Sequence, residues 1–171
     1  MKYRLMMAIL ICVALFVSGP ALASEPFCVS FAGLSPQTGA GPPCDGDATL
    51  AYEYHHMVSR DLQGGTPGPI RHNQVIITRE WDNITPQLWQ LIDAGTSIQN
   101  VTFQFPLSGG GPVQFEIRLS NVHILAIEPL IPHVRDSNPY GNQSRIRMSY
   151  QTLSIQYENE DAVVLQNQQG G

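Results

Sequence analysis

The chain has 171 residues, of which 43% are hydrophobic and 13% are charged, so it is long enough for one domain with a substantial core. Its 9 basic residues against 14 acidic residues exclude the basic surface that nucleic-acid binding requires. This composition also excludes a fully disordered chain, and it assigns no activity.

The first 23 residues have the order of a secretory signal peptide. Lys2 and Arg4 precede an apolar run at residues 5–17, and the small-residue site at residues 21–23 follows. The apolar run is too short for a stable membrane anchor. We therefore predict cleavage after Ala23, a periplasmic or secreted location, and no membrane insertion of the mature chain. That chain carries 7 arginines, no lysine and 14 acidic residues.

Cleavage removes Cys12 and leaves Cys28 and Cys44 as the cysteines of the mature chain. Two cysteines in an exported protein most simply pair, which predicts a Cys28–Cys44 disulfide. By the chain-entropy estimate, closing that loop stabilises the fold by about 3 kcal/mol. Two free thiols and half of a metal site are the alternatives.

Most of the mature chain alternates apolar and polar residues, which is typical of β-strands. In the last two strands the apolar phase shifts by one residue, after Asn121 and after Tyr150, which predicts a β-bulge at each point. Glycine- and proline-rich segments between the strands predict loops. The predicted strands are residues 27–31, 49–58, 72–80, 101–105, 113–126 and 146–157. The predicted loops are residues 33–47, 59–69, 108–112 and 129–143, and residues 166–171 form a flexible tail.

One segment has the period of a helix instead. Thr85 is predicted as its N-cap, Pro86 as its first residue and Gly95 as the left-handed residue that ends it. The apolar stripe that would pack on a sheet comprises Leu88, Trp89, Leu91 and Ile92. On this basis, replacing Trp89 by alanine is expected to unfold the domain. Many strands, two bulges and one short side helix indicate a mainly β protein, a closed or nearly closed β-barrel.

The sequence contains no recognisable catalytic motif, and it predicts no cofactor, no metal and no enzyme activity. His55 and His56 are neighbours on a strand and point to opposite faces, which disfavours a shared metal. An enzyme stays possible only if His55, His72 and His123 come together in the fold to form a site. Asp82 is expected to accept amide hydrogen bonds at the start of the helix and not to act as a catalytic acid.

Residues 77–88, which read ITREWDNITPQL, resemble the I-T-K/R-x-x-D-x-S/T-S/T-P-x-L segment of the haemolysin-coregulated protein family. This family forms the inner tube of type VI secretion systems. Residues 89–95 are similar to the family's short helix, residues 113–127 to its long strand and residues 144–157 to its terminal strand. The resemblance extends over nearly all of residues 24–165, the predicted barrel domain.

The resemblance implies a structural protein whose six copies close into a ring, with stacked rings forming a tube. Its implied partners are further copies of itself, secreted effectors and spike or sheath proteins. Residues 59–69 lie where the family's extended loop would contact a neighbouring subunit or ring. Tube subunits are assembled in the cytosol, so the signal peptide predicts an exported paralogue. A monomeric exported barrel that binds a protein, peptide or glycan is the alternative.

Overall fold

The computed structural model describes residues 25–36, 44, 46–106, 113–131, 141–158 and 160–166. The predicted signal peptide, the turn at residues 108–112 and nearly all of the predicted tail therefore lie outside the described residues. The described chain contains one helix, α1 (Thr85–Ala94), and ten strands. The strands are β1 (Phe27–Phe31), β2 (Ala48–His55), β3 (Val58–Gln63), β4 (Thr66–His72), β5 (Val75–Glu80), β6 (Ile98–Pro106), β7 (Val113–Leu130), β8 (Gln143–Ser149), β9 (Thr152–Tyr157) and β10 (Val163–Gln166).

Six strands close into an antiparallel barrel in the order β7-β6-β1-β2-β5-β8, and β8 pairs back onto β7. Strands β9 and β10 extend the sheet beyond β7, while β3 and β4 form a separate two-stranded sheet. The prediction of a mainly β barrel with one short side helix is confirmed.

The core fills the barrel interior with the alternate residues of each strand. In β1, Phe27, Val29 and Phe31 are buried, and they face Val101 and Phe103 of the paired strand β6. Phe27 stacks on Phe105 with ring centroids 4.7 Å apart. Burial of these large side chains supplies the main stabilisation of the barrel.

The phase shift predicted in the long strand is confirmed, but the β-bulge predicted with it is misplaced. The register with β6 is continuous through Asn121, and the register shift of β7 lies between Ile124 and Ala126, against β8. Strand β7 buries Leu119 and then Val122, and Asn121 between them has a φ of 50°. Before Asn121 the strand lies between β6 and β9, and from His123 onward it pairs with β8. The left-handed residue therefore lies where β7, which stays in the barrel wall throughout, exchanges its partner strands.

The second phase shift is confirmed, but the single long strand predicted around it is wrong. Tyr150 and Gln151 separate β8 from β9, so the predicted strand at residues 146–157 is two strands with different neighbours. Both strands pair with β7, and the backbone amide of Gln151 donates to Ser120 O at the point where β7 turns. The two shifts therefore lie side by side at one corner of the barrel.

Three further predictions need correction. The predicted exposed connection at residues 59–69 is part of the β3–β4 hairpin, and β2 ends at His55 and not at residue 58. His72 ends β4, whereas β5 begins only at Val75. Strand β10 was not predicted. Proline and glycine suggested a loop, yet a two-stranded sheet accepts Pro67 and Pro69 on β4, an edge strand whose amides need no partner.

Helix α1 begins one residue earlier than predicted. Its N-cap is Ile84, and Thr85 is its first residue, so the assignment of Thr85 as N-cap is wrong. Gly95 ends the helix in the left-handed conformation, as predicted, with a φ of 60°. Leu88 is buried in the core, and Leu91 and Ile92 are partly buried against it. Within the described residues, no helix is long and apolar enough to cross a membrane.

Candidate functional site

The β3–β4 hairpin, here called the ribbon, is the element that departs most from the barrel. It pairs within itself and joins no strand of the eight-stranded sheet. Large apolar side chains are exposed on it and at its base, and Leu62 near its tip is 73% exposed. Isolated two-stranded hairpins are marginally stable in water, so the ribbon depends on its attachment to the barrel. Its exposed apolar residues are Met57, Val58 and Leu62.

Two histidines and a tyrosine meet at the base of the ribbon. His56 precedes β3, His72 ends β4, and Tyr150 lies at the corner between β8 and β9. The Tyr150 hydroxyl is 2.6 Å from His56 Nε2 and 3.0 Å from His72 Nδ1. The two imidazole rings stack with centroids 6.3 Å apart. The backbone amide of Asn73 donates to Met57 O, which holds the two ends of the ribbon together.

Burial sets the electrostatics of this cluster. His72 is 3% exposed and Tyr150 is 4% exposed. Burial lowers the pKa of His72. Burial also lowers the pKa of His56, and the neighbouring His72 and His55 rings lower it further. Burial raises the pKa of Tyr150. All three side chains are therefore neutral near pH 7, which suits a hydrogen-bonded relay and disfavours an anionic metal ligand.

The histidine convergence that left an enzyme open does not occur as proposed. His55 and His72 line one cavity, and the His72 ring also stacks with the His56 ring. His123 is exposed on β7, so the three predicted histidines do not come together. No group of three or more His, Cys, Asp or Glu side chains is placed to hold a metal ion within the described ranges. Sequence reasoning missed Tyr150 as the centre of this cluster, because strand alternation alone gives no signal for which strands meet at a corner.

A second cluster joins the barrel to the helix. Arg79 is fully buried and forms an ion pair with Asp82. Its guanidinium also donates to Thr85 Oγ1 at 3.2 Å and to Thr49 Oγ1 at 3.3 Å. The backbone amide of Ile84 donates to Asp82 Oδ1 at 3.0 Å, so the predicted role of Asp82 as an acceptor for helix-start amides is confirmed. These contacts fix α1 on β5 and β2, so we interpret the cluster as structural.

The disulfide links Cys28 of β1 to Cys44, with their Cα atoms 5.4 Å apart. Both cysteines are buried, in a small cluster with Ala48 and Leu50. The bond therefore ties the segment before β2 to the central strand β1.

A family model described as "Type VI secretion system effector, Hcp" matches residues 48–157. This range includes the ribbon, the Arg79 cluster and the long strand β7. The chain belongs to the Hcp (haemolysin-coregulated protein) family.

Solved Hcp structures share the fold of this chain. A crystal structure of an Hcp protein superimposes with a TM-score of 0.70 at 19% identity, covering 85% of this chain and 99% of that chain. A variant of Hcp1 from E. coli EAEC 042 pathovar gives 0.68 at 13% identity, covering 82% and 97%. The secreted protein Hcp3 from Pseudomonas aeruginosa gives 0.61 at 15% identity, covering 83% and 99%. No curated protein sequence matches the chain significantly.

The motif that resembled the Hcp family, residues 77–88, lies within the matched range. This motif supplies the end of β5 and the first residues of α1, and it contains both Arg79 and Asp82. The part of the motif that carried the resemblance is therefore the part that fixes the helix, and it tells nothing about a ligand. The ribbon, in contrast, has no sequence signature of its own.

Proposed function

We propose that this chain is an exported Hcp-family protein that acts as a structural, ring-forming subunit and not as an enzyme. Membership of the Hcp family over residues 48–157 is the observation that carries the proposal. In this proposal residues 1–23 are a signal peptide, residues 24–165 form the barrel, and six copies close into a ring. Further copies, secreted effectors and spike or sheath proteins are the proposed partners.

The ribbon supports a role in assembly. Leu62 is 73% exposed and Met57 is 49% exposed, although apolar side chains of this size normally gain from burial. A six-membered ring needs a heterologous contact, in which one surface of a copy meets a different surface of the next. The ribbon is a projecting surface of this kind, and we propose that a neighbouring copy covers it.

The disulfide supports export. Disulfides form and persist outside the cytosol, and Cys28 and Cys44 lie within bonding distance in the folded barrel. We propose a periplasmic or secreted location on this basis together with the signal-peptide pattern. The carboxylate and histidine clusters are engaged in internal contacts, which supports a protein without catalytic chemistry.

The alternative is a monomeric exported barrel that binds a protein, peptide or glycan. It shares the export that the disulfide supports, and it differs from the first proposal in oligomeric state. The alternative keeps the Hcp fold and gives up the assembly.

The deciding experiment is a light-scattering mass of residues 24–171, purified from an oxidising compartment over a range of concentrations. We expect six times the monomer mass. A monomer at every concentration contradicts the ring and leaves the binding module. A stable assembly of another size keeps the structural role but contradicts the six-fold ring.

A further inference from the structure

The Tyr150 hydroxyl is the point where both ends of the ribbon meet the barrel. His56 lies just before β3, and His72 is the last residue of β4. Both rings lie within hydrogen-bond distance of one phenolic oxygen, at 2.6 Å and 3.0 Å. This oxygen belongs to the corner between β8 and β9, where the sheet leaves the barrel wall. The cluster therefore connects the separately paired ribbon to the corner between β8 and β9.

The number of hydrogens that the phenol and the two imidazoles can donate restricts the charge of this cluster. A phenol has one hydrogen to donate, so it satisfies one imidazole nitrogen and must accept from the other. Each neutral imidazole has one donor and one acceptor nitrogen, which allows the chain imidazole–phenol–imidazole to be complete. When both rings are protonated, both ring nitrogens become donors, and neither can accept the phenolic hydrogen. Two cations in stacked rings also repel each other.

We propose that His56, Tyr150 and His72 form a pH-sensitive clamp, which holds the ribbon on the barrel at neutral pH and releases it on acidification. The proposal rests on this geometry and does not depend on the assembly of rings. The clamp would regulate the ribbon, for which membership of the Hcp family by itself gives no such control.

The groups that face the clamp from neighbouring elements are aromatic, apolar or basic among the described residues. Tyr54 and His55 contribute from β2, and the Tyr54 ring stands 6.4 Å from the His56 ring. On β4, Arg71 alternates with His72 and lies on the opposite face of the strand, as Arg147 alternates with Met148 on β8. From β5, Ile76 lines the cavity beside His72. No carboxylate forms an ion pair with either imidazole in the described part of the chain.

The direction of the pH effect follows from the buried rings. Burial lowers the pKa of His56 and His72 below the ordinary value of about 6.5, so the released ribbon binds protons more readily than the docked ribbon. The stabilisation is fully present above about pH 6.5 and is lost as the pH falls below that value. The ribbon is therefore docked at pH 7.5 and loosened at pH 5.

Hydrogen exchange of the mature protein, residues 24–171, measures the release directly. After correction for the intrinsic effect of pH, the non-proline amides of Val58–Gln63 and Thr66–His72 should exchange about two- to tenfold faster at pH 5.0 than at pH 7.5 for each hydrogen bond lost. Amides of β1 and β6 in the barrel core serve as the internal reference and should not change. An equal exchange rate of the ribbon at both pH values contradicts the proposal.

The matched variant is His56→Gln combined with His72→Asn, since amide side chains keep a donor and an acceptor but do not titrate in this range. We expect this variant to lose the pH response. His123→Gln, at an exposed histidine of β7, is the control and should keep it. A double variant that responds like the wild type overturns the clamp.

A nuclear magnetic resonance titration of the unmodified protein tests the clamp even if the double variant does not fold. Two of the five histidines should titrate below about pH 6.5, together with a change in the Tyr150 ring signals. Ordinary titration of all five histidines contradicts the proposal.

Discussion

Arg79 carries a positive charge that is entirely out of solvent, and this charge decides how the helix sits on the barrel. The guanidinium reaches Asp82, Thr85 and Thr49 at once, so it bridges β5, the turn before α1, and β2. Burial of a charge is unfavourable unless its partners are fixed in place. The contribution of Arg79 is therefore conditional on the whole cluster.

Replacing Arg79 by alanine should lower the free energy of unfolding by about 3 kcal/mol, because it leaves the mostly buried Asp82 carboxylate without its partner. Urea denaturation of residues 24–171 measures this loss. Adding Asp82→Asn should restore part of it, since the remaining side chain is then neutral. A double variant that is less stable than Arg79→Ala alone contradicts the ion-pair account.

Trp89 provides the contrast, and here the expectation from sequence is wrong. The side chain is 45% exposed, because the helix turns Leu88 and not Trp89 into the core. Replacing Trp89 by alanine should therefore leave the domain folded, with a much smaller loss than Arg79→Ala in the same urea experiment.

At the scale of elements, the sequence predicts which residues of a strand are buried, but it does not predict which strands pair. The phase shift at Asn121 is visible as a change in which residues are apolar, so the burial pattern of β7 could be predicted. The change from β9 to β8 as partner could not, because both are distant in sequence. The ribbon could not be predicted for a different reason. Pro67, Gly68 and Pro69 are typical of loops, and a strand accepts them only where one of its edges has no neighbouring strand.

The candidate sites divide in the same way. Asp82 was assigned correctly, since its acceptor role is local, within three residues of the helix start. The cap was placed on Thr85 because its hydroxyl suits an N-cap, but that hydroxyl is used by the Asp82 amide and the Arg79 guanidinium. The clamp at Tyr150 depends on residues from three separate parts of the chain, and no local pattern indicates it.

The disulfide links β1, a strand of the barrel wall, to the segment before β2. Replacing Cys28 and Cys44 together by alanine should lower the free energy of unfolding by about 3 kcal/mol, the value expected for a loop of this length. Urea denaturation of the oxidised wild type and the double variant measures the difference. Wild type in strong reductant should approach the double variant, and equal midpoints in all three samples contradict a stabilising bond.

At the scale of the whole molecule, the exposed tip of the ribbon should decide assembly. Leu62→Glu puts a charge where a neighbouring copy is proposed to bury an apolar side chain, so we expect the light-scattering mass to fall to that of a monomer. The fold should be unaffected because Leu62 is 73% exposed. Gln90→Glu, which adds the same charge on the exposed side of α1, is the matched control and should still assemble. Rings that form equally in both variants show that the ribbon tip is not the contact.

The order of strands in the barrel differs from their order along the chain, and this affects how an exported copy is delivered. Strand β1 lies between β2 and β6, and the wall closes only when β8 pairs with β7. In a chain that crosses a membrane with its N-terminus first, β1 is among the first elements to arrive and cannot complete its pairing until residues 98–106 have followed. Until then its free edge can pair with other chains. Under the proposed export, the barrel therefore closes only after β8 has been translocated, so the time of crossing sets how long the open edge is exposed.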